Sequence, residues 1–322
     1  MNEPQPTPSP AAETAIHARI RPFRSHRARR WALACVMLAA AWLLISFAVA
    51  YRLTQRKRPP FPEPAPAVSW GTLEGLRLTT DDGQQIGGWF AEGRADAPAV
   101  LFLHGNKGSR GHCLERAGIV AAEAGCAVML ISMRAHGDST GDFNDIGYSA
   151  RHDVVAAVEF LLARRPGRPI VLFGVSLGSA AAAFAAAELG EKVDGYVLES
   201  PYQDLKTAVW NRTSTYLPPG LDAIAYVGLR LAGLVLLPNI DAISPLRAVG
   251  AIPEDVPVLI LAGDADEMAT PEEARALFER VRSHARLESF PGATHYNLAT
   301  VEPDRYKRTI VGFVAQARRD RR

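Results

Sequence analysis

A serine, two carboxylates and a histidine stand along this chain in an order that acyl-transfer chemistry uses. Ser176 lies in the pentapeptide Gly174-Val175-Ser176-Leu177-Gly178. An apolar run at 169–173 precedes it and an alanine-rich run at 179–189 follows, so a buried strand should enter the pentapeptide and a helix should leave it. In that context G-x-S-x-G reads as a nucleophile elbow, with the serine on a strained turn and the glycines letting strand and helix close on each other. Without both flanks the same serine would be an ordinary loop residue.

A serine hydroxyl attacks well only with a base beside it, an acid that orients the base, and donors for the oxyanion. Downstream, 286–290 alternates polar and apolar residues like a short strand. His295 follows in the loop 291–295, ahead of a last helix, and is the candidate base. The other seven histidines are weaker candidates. His17 and His26 precede a long apolar stretch, His112, His152 and His284 fall in or beside helical stretches, and His104 and His136 lie in loops upstream of the serine. Between serine and histidine, an apolar strand at 256–263 ends in Asp264-Ala265-Asp266-Glu267. Either aspartate could orient the imidazole, and Asp264 also suits a turn-forming or capping role. For the oxyanion, the strand near 98–103 runs into His104-Gly105-Asn106-Lys107-Gly108. The expected donors are the backbone N–H groups of Asn106 and Leu177, with His104 bracing the loop rather than reacting.

The elements that must position these residues alternate. Strands are expected near 98–103, 126–132, 169–174, 193–199, 256–263 and 286–290. Helices are expected near 109–124, 150–164, 177–189, 271–282 and 303–317. An opening hairpin should turn around Asp81-Asp82-Gly83. Such alternation predicts an α/β domain with a mostly parallel sheet, helices on both faces, and a site at the strand C-termini. The interval 201–253 is long for a crossover, and 221–237 carries only Asp222 and Arg230 as charges. It forms either a small cap over Ser176 or a crossover helix packed on the sheet.

His104-Gly105-Asn106-x-Gly108, Arg134-Ala135-His136-Gly137-Asp138-Ser139-x-Gly141, Gly174-x-Ser176-x-Gly178, Glu199-Ser200-Pro201 and His295 together resemble the alpha/beta-hydrolase superfamily. The likeness is nearest to its membrane-anchored serine hydrolases, related to lysophospholipases and monoacylglycerol lipases. It runs from about Thr72 to the C-terminus, and Asp82-Gly83-Gln84-Gln85-Ile86-Gly87-Gly88-Trp89 resembles the family's first hairpin. Two positions depart from the pattern. Ala135 stands where a glycine is usual, and Ala269-Thr270 where an aliphatic residue and proline are usual. The resemblance maps the family's Gly-x-x-Asp onto Gly263-x-x-Asp266 and so favours Asp266 as the acid. It implies two-step hydrolysis of a carboxylic ester through a Ser176–Asp266–His295 triad and an acyl-enzyme, lipid or lysophospholipid esters included. A peptidase or amidase of the same fold, and a membrane-tethered scaffold without activity, are the competing readings.

The N-terminal part is organised differently. Residues 1–30 form a basic tail that opens Pro-rich and polar, as disordered segments do. Residues 31–51 carry no charge and are bounded by Trp31 and Tyr51; as a helix they would span about 31 Å, one bilayer core. A basic cluster and a proline-rich linker over 52–67 then lead into the domain at 68–322. Six arginines between 19 and 30, against four basic residues between 52 and 58, orient the tail to the cytoplasm. The expected location is therefore a bacterial inner membrane, crossed once, with the domain outside the cytoplasm. Cleavage of a signal peptide at Ala48-Val49-Ala50 is the competing reading.

The net charge of +2 hides a split: residues 1–58 hold +8 and the remainder −6. The domain thus offers no basic face for nucleic acid, whereas the juxtamembrane arginines suit anionic lipid head groups. Cys35, Cys113 and Cys126 have neither metal-binding nor disulfide spacing. No nucleotide loop or metal motif is present, so no cofactor is implied.

Overall fold

The computed structural model describes residues 26–317. Contacts divide the chain into two units, the first ending at Leu44 and the second beginning at Ile45. Helix α1 (His26–Thr54) is longer than the expected 31–51 segment. Nearly all its apolar side chains are exposed, and it is the one helix among the described residues long and apolar enough to cross a membrane. Its buried residues, Ser46, Ala50 and Thr54, are spaced four apart on one stripe at its C-terminal end. The basic tail expected over 1–30 lies outside the described residues up to position 25.

The second unit is built on an eight-stranded sheet in the order β1-β2-β4-β3-β5-β6-β7-β8. The strands are β1 (Glu74–Thr79), β2 (Gln85–Ala91), β3 (Ala99–Leu103), β4 (Ala127–Ser132), β5 (Ile170–Val175), β6 (Gly195–Glu199), β7 (Val258–Gly263) and β8 (Ala285–Phe290). β2 pairs antiparallel with β1 and with β4, and every other pairing is parallel. β3, β5 and β7 are apolar at every position because helices cover both faces. Leu101, Leu103, Met129, Ile131 and Leu172 point to one core, while Val100, Phe102, Val128, Leu130, Val171 and Phe173 point to the other. That is the two-residue period of a strand read on both sides.

Helices α2 (Leu114–Ala124), α3 (Arg151–Arg164), α4 (Leu177–Leu189), α5 (Leu205–Tyr216), α6 (Leu221–Leu236), α7 (Pro245–Ala248), α8 (Pro271–Arg280), α9 (Leu298–Val301) and α10 (Pro303–Ala317) complete the unit. The first turns of the expected 109–124 helix are 3-10 (Arg110–Cys113). Within 201–253, α6 has α5 as its chief neighbour. The pair meets the rest through a cluster joining Tyr202, Leu205 and Ala208 to Ala180 and Phe184 of α4 and to Ala269. Along α6, Leu221, Ile224, Val227, Leu231, Leu234 and Val235 remain exposed.

The proline-rich segment expected as a linker over 52–67 does not hang free. Its backbone runs along the 137–144 loop, with Arg56 N–H donating to Asp142 O at 2.7 Å and Phe61 N–H to Gly137 O at 3.4 Å.

Candidate active site

β3 lies between β4 and β5 in the sheet, so the loops leaving β3 and β5 diverge at a topological switch point, where α/β sheets open a crevice. The turn leaving β5 carries Ser176 with φ 52° and ψ −107°, a region that costs an L-residue of order 1–3 kcal/mol. Sequence and packing over-determine that turn. A Cβ on Gly174 would lie 2.4 Å from the Gly178 backbone, and one on Gly178 would lie 2.2 Å from Leu103 O. Only glycine at both positions lets α4 start directly against β3 and β5. The backbone is then tied to β6: Ser176 N–H donates to Glu199 O at 2.8 Å, and Ser179 Oγ donates to Gly174 O at 2.7 Å and to Glu199 O at 2.9 Å.

His295 stands over the serine. Its Nε2 is 3.0 Å from Ser176 Oγ and its Nδ1 is 2.8 Å from Asp266 Oδ2. The Asp266 side chain is fully buried and that of His295 is 10 % exposed. Asp266 Oδ1 accepts the N–H groups of Met268 and Ala269, both at 2.9 Å, so the carboxylate is fixed from two sides. With Asp266 accepting at Nδ1, the proton of a neutral imidazole sits there and Nε2 faces the serine as an acceptor. Asp264 points elsewhere, accepting the Gly292 N–H at the turn after β8. The two aspartates thus divide: one meets the imidazole, the other shapes the loop that carries it.

The loop 104–108 closes the opposite side. An atom placed as Cβ on Gly105 would come within 3.7 Å of Ser176 Cβ, so Asn106 follows directly on the residue that abuts the serine. Leu177 is the first residue of α4, where a helix leaves its N–H without an intrahelical acceptor. His104 is fully buried beneath. Its Nε2 accepts the Met133 N–H at 3.0 Å and its Nδ1 is 2.8 Å from Gly105 O. Burial, then the nearby His136, holds its pKa well below the ordinary value, so it stays neutral and braces the loop.

Two groups of residues carried no role in the sequence reading. Below the elbow, Glu199 is buried and paired with Arg116, Nε to Oε2 at 3.0 Å, and also accepts from Tyr306 Oη. Glu199 was legible as part of Glu199-Ser200-Pro201, but neither partner stands near it in the chain. Around the 104–108 loop, Asn144 Nδ2 donates to Asn106 Oδ1 at 3.0 Å, a contact with no signature in spacing.

Comparison with known proteins agrees with this architecture. The family model described as the alpha/beta hydrolase fold matches residues 98–226. The chain is 26% identical over 291 residues to protein bem46 of Schizosaccharomyces pombe, covering 87% of this chain and 91% of that protein. It is 25% identical over 244 residues to the uncharacterized membrane protein YNL320W of Saccharomyces cerevisiae, covering 76% and 80%. A shorter stretch of 147 residues is 29% identical to lysophosphatidylserine lipase ABHD12 of Xenopus tropicalis, covering 44% of this chain and 35% of that protein. Among solved structures, the Pyrococcus furiosus esterase PF2001 superposes with a TM-score of 0.65 at 22% identity, over 80% of this chain and 97% of that one.

Proposed function

We propose that this chain is an ester hydrolase of the alpha/beta-hydrolase fold that works through Ser176, His295 and Asp266 by way of an acyl-enzyme. One observation supports this above the rest: His295 bridges Ser176 Oγ at 3.0 Å and Asp266 Oδ2 at 2.8 Å. His295 Nε2 takes the hydroxyl proton as the serine oxygen attacks the ester carbonyl. Asp266, held by two backbone donors, keeps the imidazole in that tautomer and stabilises the imidazolium. The Asn106 and Leu177 N–H groups receive the oxyanion, each worth about 3–4 kcal/mol in a comparable site. His295 returns the proton to the leaving alcohol, and water activated by the same imidazole frees the acid.

The substrate proposed is a single-chain lipid ester with an anionic head group. The apolar helix α1 supports anchoring at a membrane, and the exposed apolar stripe of α6 gives an acyl chain a surface. Lys57, Arg58 and Lys107 line one cleft with His112 and His136, beside the oxyanion loop. Burial, followed by repulsion from Lys107 and Arg52, lowers the pKa of Lys57. A relative that carries the name lysophosphatidylserine lipase agrees with that chemistry. The protein is further proposed to cross a bacterial inner membrane once, with residues 68–322 outside the cytoplasm and 201–253 capping the site.

Fluorophosphonate labelling and turnover of acyl esters test the chemistry: Ser176→Ala should abolish both in a folded protein. Retained turnover would remove the assignment. Substrates sharing one acyl chain, an anionic lysophospholipid and a neutral monoacylglycerol, test the head group. Lys57→Ala combined with Lys107→Ala should raise KM for the anionic substrate only, and an equal rise for both would discard the head-group reading.

A further inference from the structure

The segment leaving α1 is fastened to the domain rather than tethered to it. The Thr54 carbonyl accepts the Asn144 N–H at 2.7 Å, and Gln55 forms an antiparallel bridge with Phe143. The Arg56 guanidinium then enters a nest of carbonyl oxygens. Nε donates to Gly141 O at 3.0 Å, Nη2 to Gly141 O at 2.8 Å and to Ser139 O, and Nη1 to Gly137 O at 3.3 Å. The Asp142 carboxylate lies 3.3 Å from Nε, and the arginine side chain is 7 % exposed. Further on, the Glu63 side chain is only 5 % exposed. Its Oε2 accepts Ser132 Oγ–H at 2.6 Å and the Asp138 N–H at 3.3 Å, and it lies 3.5 Å from Arg110 Nη1. A passive tether has no reason to bury an arginine and a glutamate, whose desolvation is offset only by partners this specific.

The loop gripped in this way is the one that grips the oxyanion loop. Lys107 N–H donates to His136 Nε2 at 3.3 Å, and Asn144 Nδ2 donates to Asn106 Oδ1 at 3.0 Å. Asn144 therefore holds both sides at once: its backbone N–H is on Thr54 and its side chain on Asn106. Its own Oδ1 accepts the Ile146 N–H at 3.0 Å, which fixes the amide's orientation. Asn106 Oδ1 also accepts the Lys107 N–H at 3.0 Å. These contacts restrain the Asn106 side chain, on the residue whose N–H belongs to the 105–106 peptide.

We propose that the strap 54–63 is a working part of the active site: Arg56 and Asn144 are positioning residues that aim the Asn106 N–H at the substrate oxygen. The inference rests on Asn106 being an oxyanion donor to the Ser176 reaction. It goes further in making the junction between the apolar helix and the domain a determinant of the chemical step. Oxyanion donors act within a narrow range of distance and direction, and deleting one lowers kcat by about 10²–10³-fold. A donor left in place but slackened should lose part of that, roughly tenfold.

The test uses the full chain in detergent with a soluble acyl ester. Asn144→Asp keeps the Oδ1 acceptor for Ile146 and the backbone bond to Thr54, but it presents oxygen instead of N–H to Asn106. Arg56→Lys keeps the charge and loses the fork that reaches three carbonyls. Each should lower kcat about tenfold with KM within about twofold, the pattern of an interaction felt in the transition state. Combined, they should lower kcat no further than the worse single variant, because both act through one contact. Unchanged kcat in the folded variants, losses that multiply in the double variant, or a loss of thermal stability alone would overturn the proposal. Should Arg56→Lys fail to fold, the kcat of Asn144→Asp decides. Ser176→Ala separates the two layers. If wild-type turnover survives that change, the catalytic reading falls and this one with it; if turnover depends on Ser176 while the variants keep wild-type kcat, only the strap's role falls.

Discussion

Replacing Ser176 by glycine should yield a protein more stable than replacing it by alanine, although both changes delete the same hydroxyl. The turn holds φ 52° and ψ −107°. Inverting both signs gives an extended conformation open to any residue, and glycine, which has no Cβ, takes either hand alike. Alanine keeps the Cβ and hence the strain, of order 1–3 kcal/mol. Glycine releases it but loses about 0.4–1 kcal/mol to the greater freedom of its unfolded chain. The balance is about 1 kcal/mol in favour of glycine, or roughly 2–4 °C in Tm for a domain of this size. Both variants lack the Ser176 hydroxyl, so thermal and urea unfolding compare them on backbone conformation alone. An alanine variant as stable as the glycine variant would show that the turn relaxes when the hydroxyl leaves, and the argument from backbone strain would fail.

Three further outcomes follow from the site. Asp266→Asn should lower kcat by about 10⁴-fold, because an amide can turn its NH2 toward Nδ1 and reverse the imidazole tautomer, while Asp264→Asn should stay within about tenfold of wild type; equal losses would reopen the assignment of the acid. Arg116→Leu should destabilise the domain by about 3–5 kcal/mol by leaving Glu199 buried without its cation, and adding Glu199→Met should recover most of it, as read by urea unfolding. Burial lowers the pKa of both His104 and His136 from 6.5. Below the unfolded value the unfolded chain binds more protons, so stability should fall as pH drops below about 6.5, by up to about 1.4 kcal/mol per pH unit for each histidine. Burial pushes Asp153 up to about 6, which acts with the opposite sign below that pH. The measurement is therefore the difference in slope between wild type and His136→Gln from pH 7.5 to 5.5, and equal slopes would refute it.

Most of the fold was legible because its signals are local. Apolar runs bounded by turn residues located β3 to β8 within a residue or two, and the start of α4 at Leu177 followed from the pentapeptide itself. The loop residues Ser176, Asp266 and His295 could be ordered along the chain because each follows a strand, and parallel strands bring their C-terminal ends to one edge. Choosing between Asp264 and Asp266 from residue types alone was beyond reach, since both are aspartates in one turn. The geometry separates them by a single bond each, to Gly292 and to His295. The docking of the strap is illegible for a similar reason. Prolines at 59, 60, 62 and 64 signal an extended backbone, and an extended backbone serves equally as a spacer or as a docked edge. What distinguishes the two is the burial of the Arg56 and Glu63 side chains against partners 47 to 86 positions away, which no local pattern carries.

Helix α4 bears on how slowly the surroundings of Ser176 should open. Eleven of its thirteen residues are buried, from Leu177 to Leu189, whereas α6 buries only Gly228, Ala232 and Gly233. Amide protons in α4 can reach solvent only when the sheet and its flanking helices come apart, so their exchange with deuterium reports global unfolding. Those of α6 are exposed by opening one hairpin. Exchange of the α4 amides should therefore be as slow as global unfolding and that of the α6 amides faster, because far less of α6 is buried.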